Sequence, residues 1–187
     1  YLMALAVGLL IPFILIYIRM LLDSKFHNRK DLEDNLNIPY LGDIPHAESS
    51  DKVIVKKDNR TSTAEAFRIL RTNLNFMLPK IGEGPGAKVL FVTSTIAGEG
   101  KSFVSINLAA SLALTNKKVL LLGLDLRAPK ITEYLGIAYR KGVTNYILDD
   151  KLNVDDLKFT IPQVENVDFI SSGVIPPNPS ELLLNYR

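Results

Sequence analysis

Residues 88–102 read KVLFVTSTIAGEGKS, and this stretch decides the fold class of the chain. Its first six residues form a nearly continuous apolar run, which is typical of a strand buried on both faces of a sheet. A turn rich in small residues follows, and residues 101–115 then have the pattern of a helix that is apolar on most faces. We therefore expect a strand, a tight glycine-containing loop and a helix, in that order.

The loop between this strand and this helix has the composition of a phosphate-binding loop. Gly98 and Gly100 allow the backbone to approach an anion, and the N–H groups at the start of the helix point at the same place. Lys101 is expected to reach the β and γ phosphates of ATP, and Ser102 to ligate Mg²⁺. The pattern G-x-x-x-x-G-K-[ST] is incomplete, because Thr95 stands at its first glycine. An accidental strand-to-helix turn is the alternative, but the flanking strand and helix favour a nucleotide site.

A second apolar run places a carboxylate beside this loop. Residues 118–124 read KVLLLGL and are expected to form a second strand, which Asp125 directly follows. Because the carboxyl ends of parallel strands meet at one edge of the sheet, Asp125 is placed to hold a metal-bound water or the nucleophile. A turn role for Asp125 ahead of Pro129 is the alternative. With a short helix over residues 143–148 and a third strand over 167–170, the pattern predicts an α/β fold with a doubly wound parallel sheet.

An amphipathic helix is expected over residues 62–78. Ser62 and Glu65 match an S-x-x-E capping box at its start, and Pro79 would end it. Its apolar stripe consists of Phe67, Leu70, Leu74 and Met77.

Residues 1–22 are almost entirely apolar and predict a transmembrane helix. Basic residues follow it, so residue 23 onward is expected in the cytoplasm. A buried globular helix is the alternative. We further expect a juxtamembrane linker over residues 23–60 and a nucleotide-binding domain over 61–187. The chain starts at Tyr1 and stops at Arg187 after an apolar run, so the domain is expected to be incomplete at its C-terminus.

The composition limits the partners of the chain. A net charge of +2 gives nucleic acid no electrostatic support as a partner. The absence of cysteine agrees with a reducing compartment.

Several motifs in order resemble one family, the bacterial tyrosine kinases. These motifs are IPYLGDIP at residues 38–45, EAFRILR at 65–71, TSTIAGEGKS at 93–102, LLLGLDLR at 120–127 and SSGVIPPNPSELL at 171–183. In this family a cytoplasmic P-loop domain of the MinD and ParA type follows a membrane-anchored regulator of polysaccharide chain length. The resemblance covers the whole chain.

The resemblance implies an ATP- and Mg²⁺-dependent protein-tyrosine autokinase that assembles as a ring of identical subunits and phosphorylates tyrosines in trans. Such a kinase controls exopolysaccharide or capsule synthesis, chain length and export, together with the polymerisation and export machinery at the bacterial inner membrane. In this reading Lys101 and Asp125 are catalytic, and Ser102 and Asp125 hold the metal. The implied nucleotide contacts are Thr95, Ala97, Gly98, Glu99, Gly100, Lys101, Ser102, Phe103 and Arg127. Subunit contacts are implied for Glu65, Arg68 and Arg71, which match E-x-x-R-x-x-R.

The chain departs from the family pattern at Gly123, where the first aspartate of D-x-D-x-R is expected, and at Ala97, where proline is frequent. Catalysis is then either carried by Asp125 or impaired. Two other functions are therefore kept open. One is a membrane scaffold that uses ATP binding only to control ring assembly. The other is a membrane-attached ATPase that positions cell-division or partition machinery, although that class would have a lysine near Ile96.

Overall fold

The computed structural model describes residues 1–23, 29–47, 51–78, 86–161 and 164–184, and the chain divides into two compact units. Unit 1 comprises Tyr1–Tyr40 and unit 2 comprises Leu41–Arg187. Pro79, which was expected to end a helix, lies outside the described residues.

Unit 1 contains helices α1 (Leu2–Leu21) and α2 (Arg29–Asn35). Helix α1 has Pro12 inside it and Arg19 in its last turn. The prediction of a transmembrane helix over residues 1–22 is not supported: among the described residues, none of the helices is both long enough and apolar enough to cross a membrane.

Unit 2 is built of helices packed on a small sheet. Its helices are α3 (Ser62–Met77), α4 (Lys101–Ala113), α5 (Ile131–Leu135), α6 (Val143–Leu148), α7 (Val154–Leu157) and α8 (Pro179–Leu182). Its strands are β1 (Val119–Leu122), β2 (Phe159–Thr160) and β3 (Val167–Ile170), in the spatial order β1-β3-β2. Strand β3 therefore lies between the other two.

The sheet is mixed rather than purely parallel. Strand β1 runs parallel to β3, with Val119 opposite Val167, which agrees with the prediction of parallel pairing. Strand β2 runs antiparallel to β3, with Thr160 opposite Asp168, and was not predicted. The chain reverses between them, where Asn166 adopts a left-handed conformation at φ 62°. The expectations of a helix over 143–148 and a strand over 167–170 are confirmed.

The prediction of a strand over residues 88–93 is wrong. No strand is formed there, and Val89 and Phe91 are 75% and 78% exposed. A strand requires a neighbour that completes its ladder of hydrogen bonds, and the three described strands pair only with one another. Strand β1 is not buried on both faces either, since Leu120 and Leu122 remain exposed.

Helix α3 begins one residue earlier than the predicted capping box requires. Thr61, rather than Ser62, is the N-cap, and its hydroxyl accepts a hydrogen bond from Ala64 N at 3.3 Å. The side chain of Glu65 pairs with Arg68 instead of closing a capping box. The apolar stripe is confirmed, because its members Phe67, Leu70 and Leu74 are buried.

A buried amide attaches helix α4 to the chain that precedes α3. The Asn107 side-chain oxygen accepts hydrogen bonds from Ile54 N at 2.8 Å and Val55 N at 3.2 Å. Its amide nitrogen donates to Lys52 O and to Phe103 O, each at 3.0 Å. All hydrogen-bonding groups of this fully buried side chain are therefore used, which is the condition for burying an amide without a large cost.

Candidate nucleotide-binding site

The loop before α4 has a backbone that favours glycine. Gly98 and Gly100 adopt φ values of 94° and 90°, in the left-handed region where other residues are strained. Gly100 is the N-cap of α4, and the helix begins at Lys101. The first turn of the helix therefore directs its free N–H groups toward the loop.

The loop already holds an anion of its own. The Glu99 carboxylate oxygen Oε2 accepts a hydrogen bond from Thr95 N at 2.9 Å and another from Ile96 N at 3.2 Å. Two successive backbone N–H groups that converge on one oxygen form an anion-binding nest. The Glu99 carboxylate thus stands in for the kind of oxygen that a phosphate would present.

A cation and a carboxylate meet beside this loop. The Nζ atom of Lys101 lies 4.0 Å from Oδ2 of Asp125, and the two side chains are 35% and 43% exposed. Helix α4 supplies the lysine, and the segment after β1 supplies the aspartate. A partly exposed ion pair at this distance contributes little to the stability of the fold. The pair is therefore considered for a role in ligand binding or catalysis.

Asp125 also has the turn role that was weighed as an alternative. Its Oδ1 atom accepts hydrogen bonds from Arg127 N at 3.3 Å and from Ala128 N at 3.0 Å. These contacts fix the carboxylate orientation and direct Oδ2 to Lys101. One side chain therefore shapes the turn and faces the loop.

The other predicted nucleotide contacts lie in different surroundings. Ser102 is half-buried in the first turn of α4, whereas Ala97 and Arg127 are exposed. The ring of Phe103 packs edge-on against Phe67, with a centroid separation of 5.6 Å. Phe103 therefore contributes to the core with its side chain, and only its backbone is left for a ligand.

Gly123 lies where a side chain has little room. Its N–H donates to Ile170 O at 2.9 Å, which continues the pairing of β1 and β3 by one residue. A Cβ atom at this position would lie 3.1 Å from Ser172 N and 3.5 Å from Ile170 O. The backbones of Gly123 and of the segment at Ile170–Ser172 are therefore packed too closely to admit the expected aspartate without a shift.

We predict that Gly123→Asp lowers the free energy of unfolding by about 1–3 kcal/mol, because backbone atoms must move to admit the new Cβ. Thermal unfolding followed by circular dichroism measures this effect. Leu124→Asp introduces the same charge at the next, exposed position and is the matched control. Equal melting temperatures for the two variants would contradict the packing argument.

The three predicted subunit-contact residues form hydrogen bonds within the chain. Arg68 pairs with Glu65 at 2.8 Å and also donates to Asn59 O at 2.6 Å. Arg71 donates to Ser111 O at 2.8 Å, which connects α3 to α4. Both arginines therefore have a structural role in the single chain.

Comparisons with known proteins agree on one family. The family model ParA, described as a NUBPL iron-transfer P-loop NTPase, matches residues 86–183. A Klebsiella pneumoniae protein named as a tyrosine-protein kinase in the cps region is 32% identical over an alignment of 198 positions that covers 97% of this chain. The kinase domain of the Escherichia coli tyrosine kinase ETK superposes on 84% of the chain with a TM-score of 0.71 and 28% identity. The chain belongs to the bacterial tyrosine kinases of the ParA family.

The chain spans only part of each relative. It covers 26% of the Klebsiella protein and 64% of the ETK domain. The tyrosine-protein kinase YwqD of Bacillus subtilis is 34% identical over 131 residues, which are 70% of this chain and 53% of YwqD. The P-loop fold and the family resemblance expected from the sequence are confirmed.

Proposed function

We propose that this chain is the nucleotide-binding part of an ATP-dependent protein-tyrosine kinase. The observation that carries the proposal is the anion nest at Thr95 and Ile96, which two N–H groups form at the start of the loop. Lys101 and Asp125 add a cation and a carboxylate beside this loop. A phosphate donor and an acceptor hydroxyl need these three elements together.

In the proposed reaction the chain acts chiefly by positioning and by charge. Loop N–H groups and Lys101 bind the phosphates of ATP. The phenol oxygen of tyrosine attacks the γ-phosphorus in line, a new P–O bond forms, and the bond to the departing ADP oxygen breaks. The phenol proton passes to the Oδ2 atom of Asp125, which is the carboxylate oxygen not used by the turn.

Mg²⁺ fits this arrangement as a companion of the nucleotide. It prefers oxygen ligands and is commonly held by one or two protein groups together with phosphate oxygens. Ser102 would supply a hydroxyl ligand, and Asp125 would hold a metal-bound water. The described residues contain no cluster of three His, Cys, Asp or Glu side chains for a metal, so the phosphates would complete the coordination. When bound, the ion neutralises charge on the transferring phosphoryl group.

The biological setting is part of the same proposal. The cps region in the name of the Klebsiella relative supports a role in exopolysaccharide or capsule synthesis and export. ATP as donor favours the cytoplasmic side of the bacterial inner membrane. Ring assembly through Glu65, Arg68 and Arg71 would use surfaces that remain partly exposed around their internal hydrogen bonds.

The test is incubation of the complete protein, of which this chain is expected to be a part with little activity alone, with [γ-³²P]ATP and Mg²⁺, with and without an added glutamate–tyrosine copolymer. We expect phosphotyrosine, identified by acid hydrolysis and by a phosphotyrosine antibody. ATP binding without any phosphotyrosine would instead support a scaffold that binds nucleotide but transfers nothing. The names of the relatives favour the kinase.

A second prediction concerns Glu99, whose carboxylate competes with a phosphate for Thr95 N and Ile96 N. Glu99→Gln removes the negative charge, and charge-assisted hydrogen bonds are about twice as strong as neutral ones. We expect the Kd for ATP, measured by isothermal titration calorimetry, to fall by roughly 3- to 10-fold. Glu165→Gln makes the same change at an exposed residue elsewhere and is expected to leave Kd unchanged. Weaker ATP binding by Glu99→Gln would mean that Glu99 itself contacts the nucleotide.

A further inference from the structure

A cavity of about 450 Å³ opens at the carboxyl end of β3. Its walls are drawn from residues 129–132, 139–140 and 171–175, none of which contributes to the phosphate loop. Its volume lies in the range of roughly 300–1,000 Å³ that is usual for small-ligand sites. The proposed nucleotide site leaves this cavity without a role.

The cavity adjoins the turn that holds Asp125. The Asp125 carboxylate accepts a hydrogen bond from Ala128 N at 3.0 Å, and the next residue, Pro129, lines the cavity. On the β3 side, Ser172 also lines the cavity, and its N–H lies 3.1 Å from where a Cβ at Gly123 would stand. The cavity therefore adjoins both the turn that holds Asp125 and the end of β1 at Gly123.

The cavity joins an apolar wall to one exposed cation. Val174 and Ile175 are 50% and 57% exposed and supply the apolar side. Arg140 lines this cavity and also a second one, where its guanidinium lies 4.2 Å from the centre of the Phe159 ring, a stacking contact that limits its motion. Within the part of the chain that the structure describes, this guanidinium has no ion-pair partner, so its N–H donors are open to a ligand.

The surface around the cavity is basic. Residues 127–141 contain four basic residues, Arg127, Lys130, Arg140 and Lys141, against the single acidic residue Glu133. All four basic residues are exposed. This positive charge favours an acidic partner over a neutral or basic one, because it speeds the association of an acidic partner and orients it at the surface.

We propose that this cavity is the acceptor subsite of the kinase, which binds a tyrosine flanked by acidic residues. This inference rests on the proposed function. The tyrosine ring packs on Val174 and Ile175, an acidic neighbour of that tyrosine pairs with Arg140, and the hydroxyl is presented to Asp125. Arg140 is thus a specificity-determining residue that acts on the acceptor and not on ATP.

The test compares Arg140→Gln with the unmodified protein on two synthetic peptides, one with tyrosine between glutamates and one with tyrosine between glutamines. We expect the KM for the acidic peptide to rise roughly tenfold, as for loss of one charge pair at a binding surface. The kcat and the Kd for ATP should stay unchanged, and Arg140→Lys should recover part of the loss. Arg60→Gln, at another exposed arginine, is the control and should leave KM unchanged.

The outcomes separate the subsite from the kinase proposal. If Arg140→Gln leaves the KM of both peptides unchanged while transfer continues, the subsite is wrong and the kinase proposal stands. If no variant transfers phosphate, fluorescence anisotropy of the labelled acidic peptide decides the subsite alone. Binding that weakens in Arg140→Gln then supports the subsite, and equal binding overturns it.

Discussion

Lys101→Met is expected to lower the affinity for MgATP by roughly 100-fold and to abolish phosphotyrosine formation. The side chain of Lys101 carries the cation that faces the loop, 4.0 Å from Asp125. Charge-assisted contacts are worth about 1.5–3 kcal/mol, and the methionine side chain retains the size of the lysine stem without its charge. Loss of the cation also leaves the Asp125 carboxylate facing the phosphates without compensation. Isothermal titration calorimetry and the phosphotyrosine assay measure the two effects.

Lys118→Met is the matched control for this experiment, because Lys118 is an exposed lysine at the opposite end of β1. Both variants should unfold at nearly the same temperature as the unmodified protein, since the pair of Lys101 with Asp125 is partly exposed and adds little stability. ATP binding of undiminished affinity by Lys101→Met would remove the basis of the nucleotide site.

Gly142→Ala is expected to have the largest effect on stability. A methyl group at Gly142 would overlap the carbonyl oxygen of Ser171 and crowd the backbone nitrogen of Gly173. These are backbone atoms of a segment already fixed by hydrogen bonds from Val143 N to Ser171 O and from Thr144 N to Ser172 O, both 2.9 Å. The strain cannot be relieved by a side-chain rotation. We therefore expect a loss of at least ~3 kcal/mol in the free energy of unfolding.

Urea denaturation followed by circular dichroism measures this loss. Gly86→Ala serves as the control, because an added Cβ there meets no atom within 4 Å and the backbone has no positive φ. A midpoint for Gly142→Ala that equals the control would show that the segment after β3 can move freely.

The sequence predicted the elements whose signals are local. The apolar run at residues 167–170 and the helical pattern at 143–148 appear in the structure with the expected bounds. The helix at residue 62 has a clear stripe, but Thr61 and Ser62 both have capping hydroxyls, and composition alone does not choose between them. Which of the two residues becomes the N-cap depends on the backbone conformation at the start of the helix.

The features that could not be predicted depend on partners distant in sequence. The run at residues 88–93 has the composition of a strand, yet strand formation requires a neighbouring strand. Strand β2 has only two residues, too few for a periodic signal. The nest occupied by Glu99 was also missed, because a glutamate beside two glycines gives no sign of where its carboxylate turns.

Three of the four hydrogen bonds of Asn107 join helix α4 to residues 52–55, and they have a mechanical consequence for the nucleotide site. Asn107 lies two turns along α4 from Gly100. Residues 52–55 are therefore connected to the loop through the first two turns of this helix. The helix cannot slide along its axis or rotate about it without breaking bonds to a buried amide. A displacement of residues 52–55 would therefore also move Lys101. Residues 52–55 thus help to set the position of the phosphate-binding lysine, although they do not belong to the phosphate-binding loop.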